Sequence, residues 1–359
     1  MKITKKEKLI EFLWEKIEAG FFSSGPLPGE RELAARFQLG RNTVRSALAV
    51  LDSEGWIDRR RKVGTMVKAN AMASDKGLAG LIMRESGHMY ADRSRLLKEH
   101  FRNAGFSVHG ISLSPFLHDR NRRRAGLEEC IRKLLKACPC VMVVDGYLNG
   151  VLPCRERVNA MHPIFIDFFD SGLDCRVKGV WCDYRKAGYL AGRHLMECGC
   201  RRPMLFSGYV PQVVRFNPMH WSHHREKLII DGFRQAMEES GVDPETTIVC
   251  CTADTPRRHW MLLRQICLDR RRVPDGFCGA TDQITTMFLK EVLENRKEVP
   301  GGLCLCGIGN TPSSRENCFR PFSSIDLNAD AMASAVVSQT LLPPALRNDI
   351  LIEPRLVAR

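Results

Sequence analysis

From residue 78 onward the chain alternates between short apolar runs and amphipathic stretches. The runs lie at 78–83, 107–112, 141–144, 163–166, 203–206, 247–251, 277–280 and 303–307. A strand that is apolar on both faces must be buried on both, and a parallel sheet covered by helices on either side achieves this. The segments 92–104, 122–137, 184–197, 229–239 and 283–294 carry apolar residues at helical spacing and supply that cover. The pattern predicts a parallel α/β body, and about 280 residues suit two lobes of it. Ligands of such open sheets bind outside the carboxyl ends of the strands, here in the cleft between the lobes.

The first seventy residues follow a different plan. Thr4-Lys5-Lys6-Glu7 is a capping-box pattern, Leu9, Ile10, Leu13 and Ile17 follow at helical spacing, and Gly20 ends the helix. After the loop FFSSGPLPG, the segment GERELAARF reads as a short second helix with Leu33, Ala34 and Phe37 on one face. Gln38-Leu39-Gly40 is a tight turn into a third helix, RNTVRSALAVLDSEGW. Val44, Ala47, Leu48 and Leu51 share one face of it, and Arg41, Asn42, Arg45, Ser46 and Ala49 share the other. WIDRRRKVGTMV then reads as two short strands around a basic tip at 59–62, which holds Arg60 and Lys62. This is a helix-turn-helix followed by a β-wing. A recognition helix enters the major groove by its N-terminal end, so its base-reading residues crowd into the first turns. Arg offers bidentate contact to guanine and Asn to adenine, while Thr43 and the helix N-terminus can hold phosphate. The alternative, a solvated basic helix in an ordinary bundle, does not account for the turn, the spacing and the basic wing together.

Charge agrees with a polyanionic partner: 54 Lys plus Arg against 41 Asp plus Glu give +13 and a pI near 9.2. No apolar run is long enough to span a membrane, and charges interrupt the start MKITKKEKLIEFLWEK too often for a signal peptide, so a cytoplasmic protein is expected. The 15 cysteines are then expected as reduced thiols. Four close pairs occur, Cys138/Cys140, Cys198/Cys200, Cys250/Cys251 and Cys304/Cys306, but none is a CxxC and none has zinc-ribbon spacing. They read as small buried hydrophobes, and neither a metal nor a cofactor is expected.

The head resembles the GntR family of bacterial transcription regulators through Leu27-Pro28-Gly29-Glu30-Arg31-Glu32-Leu33-Ala34, Arg41-Asn42-Thr43-Val44-Arg45, Leu51, Glu54-Gly55 and Gly64-Thr65. The resemblance implies that Arg31, Arg41 and Arg45 contact DNA and that Gly64 lies near the minor groove. Gly29 and Gly40 stand where that family has Ser or Thr caps, a substitution that costs only a few tenths of a kcal/mol. The body resembles the effector domain of LacI-type regulators, which is related to periplasmic sugar-binding proteins. The matching pieces are Val180-Trp181-Cys182-Asp183-Tyr184 into Gly188 and His194-Leu195, Gly232-Phe233-Arg234-Gln235-Ala236-Met237, Thr281-Asp282, Val299-Pro300 into Gly307-Ile308, and Pro354-Arg355-Leu356-Val357. A GntR-type head on a LacI-type body resembles the arabinose-repressor subgroup.

Three polar positions of that pattern are replaced. Ile229 stands where the pattern has a sugar-holding arginine, Thr281-Asp282 replaces Asn-Asp, and Gly307-Ile308-Gly309-Asn310 lacks an expected acid. If the helix at 229–239 starts early enough, Arg225 lies one turn before Ile229 and is expected as a partial replacement facing the same cleft. The stretch His220-Trp221-Ser222-His223-His224-Arg225 admits three readings: a metal site, a cleft loop with Trp221 stacking on a ring, or a plain surface loop. Its spacing fits no zinc motif. The candidate effector residues are Trp221, Arg225, Asp282 and Asn310.

The expected organisation is a winged helix-turn-helix at 1–70, a linker at 71–77 and an effector-binding and dimerisation domain at 78–359. The expected partners are a near-palindromic operator DNA, a small carbohydrate or carbohydrate derivative, and a second copy of the chain. The chain is expected not to be an enzyme: no lysine sits in a cofactor-site context, and there is neither a G-x-S-x-G nor a P-loop motif. The rival readings are a degenerate pocket or non-sugar effector, and an enzyme-like body on the same head.

Overall fold

The computed structural model describes residues 5–18, 22, 26–53, 56–60, 64–67, 76–85, 88–113, 116, 120–148, 152–167, 178–207, 221–250, 256–269, 273–296, 302–316 and 320–359. Two compact units result: residues 1–83, 94–143 and 154–163 form the first, and residues 84–93, 144–153 and 164–359 the second. The expected linker residues 71–75 lie outside the described residues, as do Thr4, Gly20, Lys62 and His220.

The first unit contains the head. Helices α1 (Lys5–Glu18), α2 (Glu30–Phe37) and α3 (Arg41–Ser53) pack through Leu9, Leu13, Ile17, Leu33, Val44, Leu48 and Leu51, all essentially inaccessible. Gln38 ends α2 in the left-handed region at φ 51° and turns the chain into α3. Strands β1 (Ile57–Arg60) and β2 (Gly64–Val67) pair antiparallel, with Ile57 opposite Val67 and Arg60 opposite Gly64. The Leu27 amide donates to the Thr65 carbonyl at 2.7 Å and ties the wing to the segment before α2. The same unit holds β3 (Leu78–Met83) and β4 (Ser107–Ser112), which pair in parallel over all six residues, and α5 (Arg120–Lys136). Helix α4 (His88–Asn103) and strand β5 (Val141–Asp145) carry the chain between the units.

The second unit is built on parallel strands. β6 (Ile164–Ile166) pairs with β7 (Lys178–Cys182), and β7 pairs with β13 (Ile350–Ile352). A further sheet runs in the order β14-β12-β11-β10-β8-β9, from β8 (Pro203–Ser207), β9 (Ile248–Cys250), β10 (Gly276–Gly279), β11 (Cys304–Ile308), β12 (Ser323–Asp326) and β14 (Arg355–Val357). All its pairs are parallel except β12 with β14. Helix α6 (Arg155–Asn159) belongs to the first unit, and helices α7 (Tyr184–Glu197), α8 (Trp221–Glu239), α9 (Pro256–Leu268), α10 (Asp282–Arg296), α11 (Pro312–Arg315) and α12 (Ala329–Thr340) complete the connections of the second. Phe206, Phe277 and Phe288 form the centre of the second sheet's core, with Phe277 and Phe288 stacked at 3.8 Å between centroids. No helix among the described residues is long and apolar enough to cross a membrane.

Several sequence readings need correction. Helix α8 begins at Trp221, eight residues before the expected 229, so Trp221 to Arg225 form its first turns and not a loop. The early part is rich in His, Ser and Arg and shows no apolar periodicity, which hid the helix. Strands β7, β12, β13 and β14 were not expected. They are short, and Lys178, Ser323, Ser324 and Arg355 dilute their apolar signal.

Helices α7 and α8 cross at bare backbone. A Cβ on Gly188 would lie 1.9 Å from the Ile229 carbonyl oxygen, and one on Gly232 would lie 1.8 Å from that of Arg185. Gly192 meets Ala236 one turn further on. Glycine in a helix costs about 1 kcal/mol relative to alanine, and here its missing side chain lets two backbones touch. Ile229 is fully buried at this crossing. That explains why an arginine would not fit there.

Candidate functional site

The head presents its polar face as expected. Arg31, Arg41, Asn42, Arg45, Ser46 and Ala49 are exposed and Thr43 is half-buried, while Val44, Ala47, Leu48 and Leu51 face inward. Gly40 receives the amides of Thr43 and Val44, so α3 starts at Arg41 and the base-reading types fall in its first two turns. Gly64 opens β2 at φ +110°, a conformation that side chains other than glycine rarely adopt. Arg60 lies in β1, but its side chain, like all of Lys62, is outside the described residues. One contributor escaped the sequence reading. Glu30 accepts from Arg45 Nε at 2.8 Å and from Arg59 Nη2 at 2.7 Å, so one carboxylate links the first turn of α2, the recognition helix and the wing. The signal was present, since Glu30 belongs to the ordered motif, but nothing in its spacing said which arginines it would hold.

The second unit holds a buried ionic cluster at the carboxyl ends of its strands. Arg84 follows β3, Asp145 ends β5, Asp167 follows β6, Tyr184 opens α7, and Ser207 ends β8. Arg84 Nε donates to both Asp145 oxygens at 2.9 and 3.0 Å, and the Arg84 amide donates to Oδ2 at 3.1 Å. Arg93 Nη1 lies 2.7 Å from Asp167 Oδ2, and Tyr184 donates to the other oxygen of Asp167. The Tyr90 hydroxyl accepts from Arg84 Nη1 and Arg225 Nη1, each at 3.0 Å, and its ring lies 4.1 Å from the Arg84 guanidinium. Arg225 also lies 3.7 Å from Glu226, which accepts from Ser207 Oγ at 3.3 Å.

Burial opposes the charge on Asp167, but Arg93 and Arg84 outweigh it and hold the carboxyl at about 2. Burial, reinforced by Asp167, pushes the Tyr184 phenol well up, so it stays a donor. Burial also raises Glu226 above the usual carboxylate range, against Arg225. Among the described residues, two guanidinium nitrogens, Arg93 Nε and Arg225 Nε, are buried with no hydrogen-bond partner. An orphan buried donor costs about 1–3 kcal/mol, and buried ion clusters seldom repay their desolvation as stability.

The four expected effector residues divide. Arg225 is in the cluster, as one turn of α8 before Ile229 requires. The Trp221 side chain is outside the described residues. Asp282 opens α10 but has both oxygens engaged: Oδ2 accepts from the Thr311 amide at 2.6 Å and from its hydroxyl at 2.9 Å, and Oδ1 accepts from Ser324 Oγ at 2.6 Å. Asn310 Oδ1 accepts from Arg359 Nη2 at 2.7 Å. Asp282 and Asn310 therefore secure the turn after β11 in this conformation, where they were expected to offer open acceptors. Gly307 makes room for that carboxylate, because a Cβ there would lie 2.2 Å from Asp282 Oδ1. Gly309, at the position of the missing acid, has φ +127° and lies 3.8 Å, measured from a virtual Cβ, from Met89 Sδ, next to Tyr90. Sequence reasoning missed Arg84, Tyr90, Arg93, Asp145 and Asp167, which come from four separate segments.

Comparison with known proteins agrees with both halves. Residues 5–67 match the bacterial regulatory proteins of the gntR family, and residues 193–359 match a periplasmic binding protein-like domain. The chain joins a head that matches the gntR family to a body that carries a periplasmic binding protein-like domain. It is 27% identical over 179 residues to the arabinose metabolism transcriptional repressor of Geobacillus stearothermophilus, a match covering 49% of this chain and 48% of that protein. The chain thus spans about half the length of that relative. Among solved structures, a LacI transcriptional regulator from a Rhodococcus species superposes with a TM-score of 0.59 at 17% identity, covering 79% of this chain and 97% of the other. The lac repressor dimer bound to operator and the anti-inducer ONPF gives 0.59 at 16%, covering 79% and 92%. At these identities the structures establish the fold of the body.

Proposed function

We propose that this chain is a dimeric, ligand-responsive transcription regulator that binds operator DNA through α3 and the wing. The observation that carries the reading is the winged helix-turn-helix among the described residues, with Arg41, Asn42 and Arg45 exposed on the first turns of its third helix. Arg31, Thr43, Arg60, Lys62 and Gly64 complete the DNA-contacting set. The body senses a small molecule at the cluster of Arg84, Tyr90, Arg93 and Arg225. Its place at the strand carboxyl ends and its two orphan guanidinium nitrogens favour a hydroxyl-rich or anionic ligand, such as a sugar acid or sugar phosphate. Asp282 and Asn310 shape the neighbouring turn, and Trp221 opens the helix that carries Arg225. The arabinose repressor named among the relatives supports a carbohydrate class and a repressor role.

The test is fluorescence anisotropy on the DNA upstream of the gene itself. Arg45→Ala is expected to cost about 1–3 kcal/mol on the specific site and much less on random DNA. Wild-type affinity in that variant would overturn the DNA assignment. The ligand assignment is tested by thermal shift with neutral sugars, uronic acids and sugar phosphates. A ligand whose binding survives Arg225→Ala unchanged would remove the cluster from the site.

A further inference from the structure

At the far end of α7 the chain gathers a second set of side chains that the proposed regulator does not use. His194 and Cys198 are one turn apart on the last turns of α7. Gly199, at φ +79°, turns the chain so that Cys200 follows, and Cys304 opens β11. One nitrogen of His194 and the thiols of Cys198 and Cys304 lie within 4.8 Å of one another. Cys198 Sγ is 3.8 Å from His194 Nε2 and 3.9 Å from Nδ1. Cys200 is buried, and its thiol donates to the Asp275 carbonyl at 3.7 Å.

We propose that His194, Cys198 and Cys304 form a three-donor binding site for a zinc-class divalent ion, with a water or other small ligand in the fourth position. Zinc takes thiolate and imidazole ligands tetrahedrally at about 2.3 and 2.0 Å, which places neighbouring donor atoms roughly 3.6–3.8 Å apart. The His194–Cys198 pair already has that separation, and the three-atom group needs to contract by only about 1 Å. Two thiolates and one neutral imidazole balance the charge of a divalent ion. His194, Cys198 and Cys304 line a cavity of about 530 Å³, which gives the ion an aqueous route and room for that fourth ligand. Cys278 and Cys306 show the contrast. They are adjacent and fully buried in the same sheet, with backbone carbonyls as their sulfur acceptors and no imidazole in the group. Such thiols fill a core, whereas the set at the end of α7 combines thiol and imidazole donors with an opening. No CxxC announces it in sequence, because the ligands come from one helix, the turn after it and a strand about a hundred residues later. The ion displaces thiol protons, so its affinity rises with pH.

The experiment uses the full-length reduced protein, titrated with Co²⁺ and then Zn²⁺. One Co²⁺ per chain is expected, with thiolate-to-metal charge transfer and the intense red d–d bands of a tetrahedral site, both abolished by equimolar Zn²⁺. Cys304→Ser and Cys198→Ser are expected to weaken Zn²⁺ binding by at least about a hundredfold, beyond what loss of a supporting partner costs. Cys138→Ser, an exposed thiol elsewhere, is expected to leave it unchanged. If Cys304→Ser does not fold by circular dichroism, the exposed Cys198 carries the test alone. A wild-type protein without a tetrahedral thiolate spectrum would overturn the site. So would a spectrum that survives Cys198→Ser, or air oxidation to an internal disulfide in a chain that takes up no metal.

Discussion

Glu30 sets the geometry of two arginines, one on α3 and one in the wing. Its two oxygens hold Arg45 and Arg59, and the pairs are exposed enough that their contribution to stability is small, about 0–1 kcal/mol. Their contribution to recognition is pre-organisation. Glu30→Gln removes a negative charge beside DNA and loosens both guanidinium groups. Random-DNA affinity is therefore expected to rise slightly while operator affinity falls, so the specificity ratio drops several-fold in a competition titration. An unchanged ratio would make the contact incidental. Asp167 carries a different prediction. Its folded value of about 2 lies below the ordinary 3.8, so its ion pair with Arg93 stabilises the fold fully above pH 4 and is lost as pH falls toward 2. The difference is worth about 2 kcal/mol. Urea unfolding across that window should show the acid-side loss, and Asp167→Asn, already destabilised at neutral pH, should show a flatter slope.

The helices and strands differ in how openly the sequence announces them. The 78–83, 107–112 and 184–197 elements have the bounds that apolar pattern alone predicts, and the polar face of α3 is where its spacing puts it. Helix α12 was not legible because small residues such as Ala329, Ala331, Ala333 and Ala335 carry no strong periodic contrast. The start of α8 was illegible because its first turns bury charge where pattern reading looks for apolar residues. The ionic cluster was illegible for another reason. Each member is one ordinary charged residue after a strand, and only the convergence of the strand ends makes a group of them. The α7–α8 crossing makes its own prediction. Gly188→Ala would gain helix propensity, about 1 kcal/mol, but must move the Ile229 carbonyl from 1.9 Å. Overpacking of that kind costs about 1–3 kcal/mol, so net destabilisation is expected in chemical denaturation. A stabilised variant would show that the helices separate without cost.

For the whole protein as proposed, affinity for DNA would depend on how many heads reach it together. One recognition helix spans few base pairs, so two heads on a near-palindromic site would supply the missing specificity. Sedimentation is expected to give a dimer at micromolar concentration, and log affinity should fall linearly with log salt. A monomer both free and on DNA would contradict the assembly. The close crossing of α7 and α8 also bears on ligand choice. Tyr184 stands one turn above Gly188, and Arg225 one turn above Ile229, with the guanidinium 5.9 Å from the phenol ring. The contact of bare backbones below them works as a gauge, setting the gap between those two side chains. A relative could keep every charged residue of the cluster and still admit a ligand of different girth, simply by carrying alanine where this chain has Gly188 or Gly232.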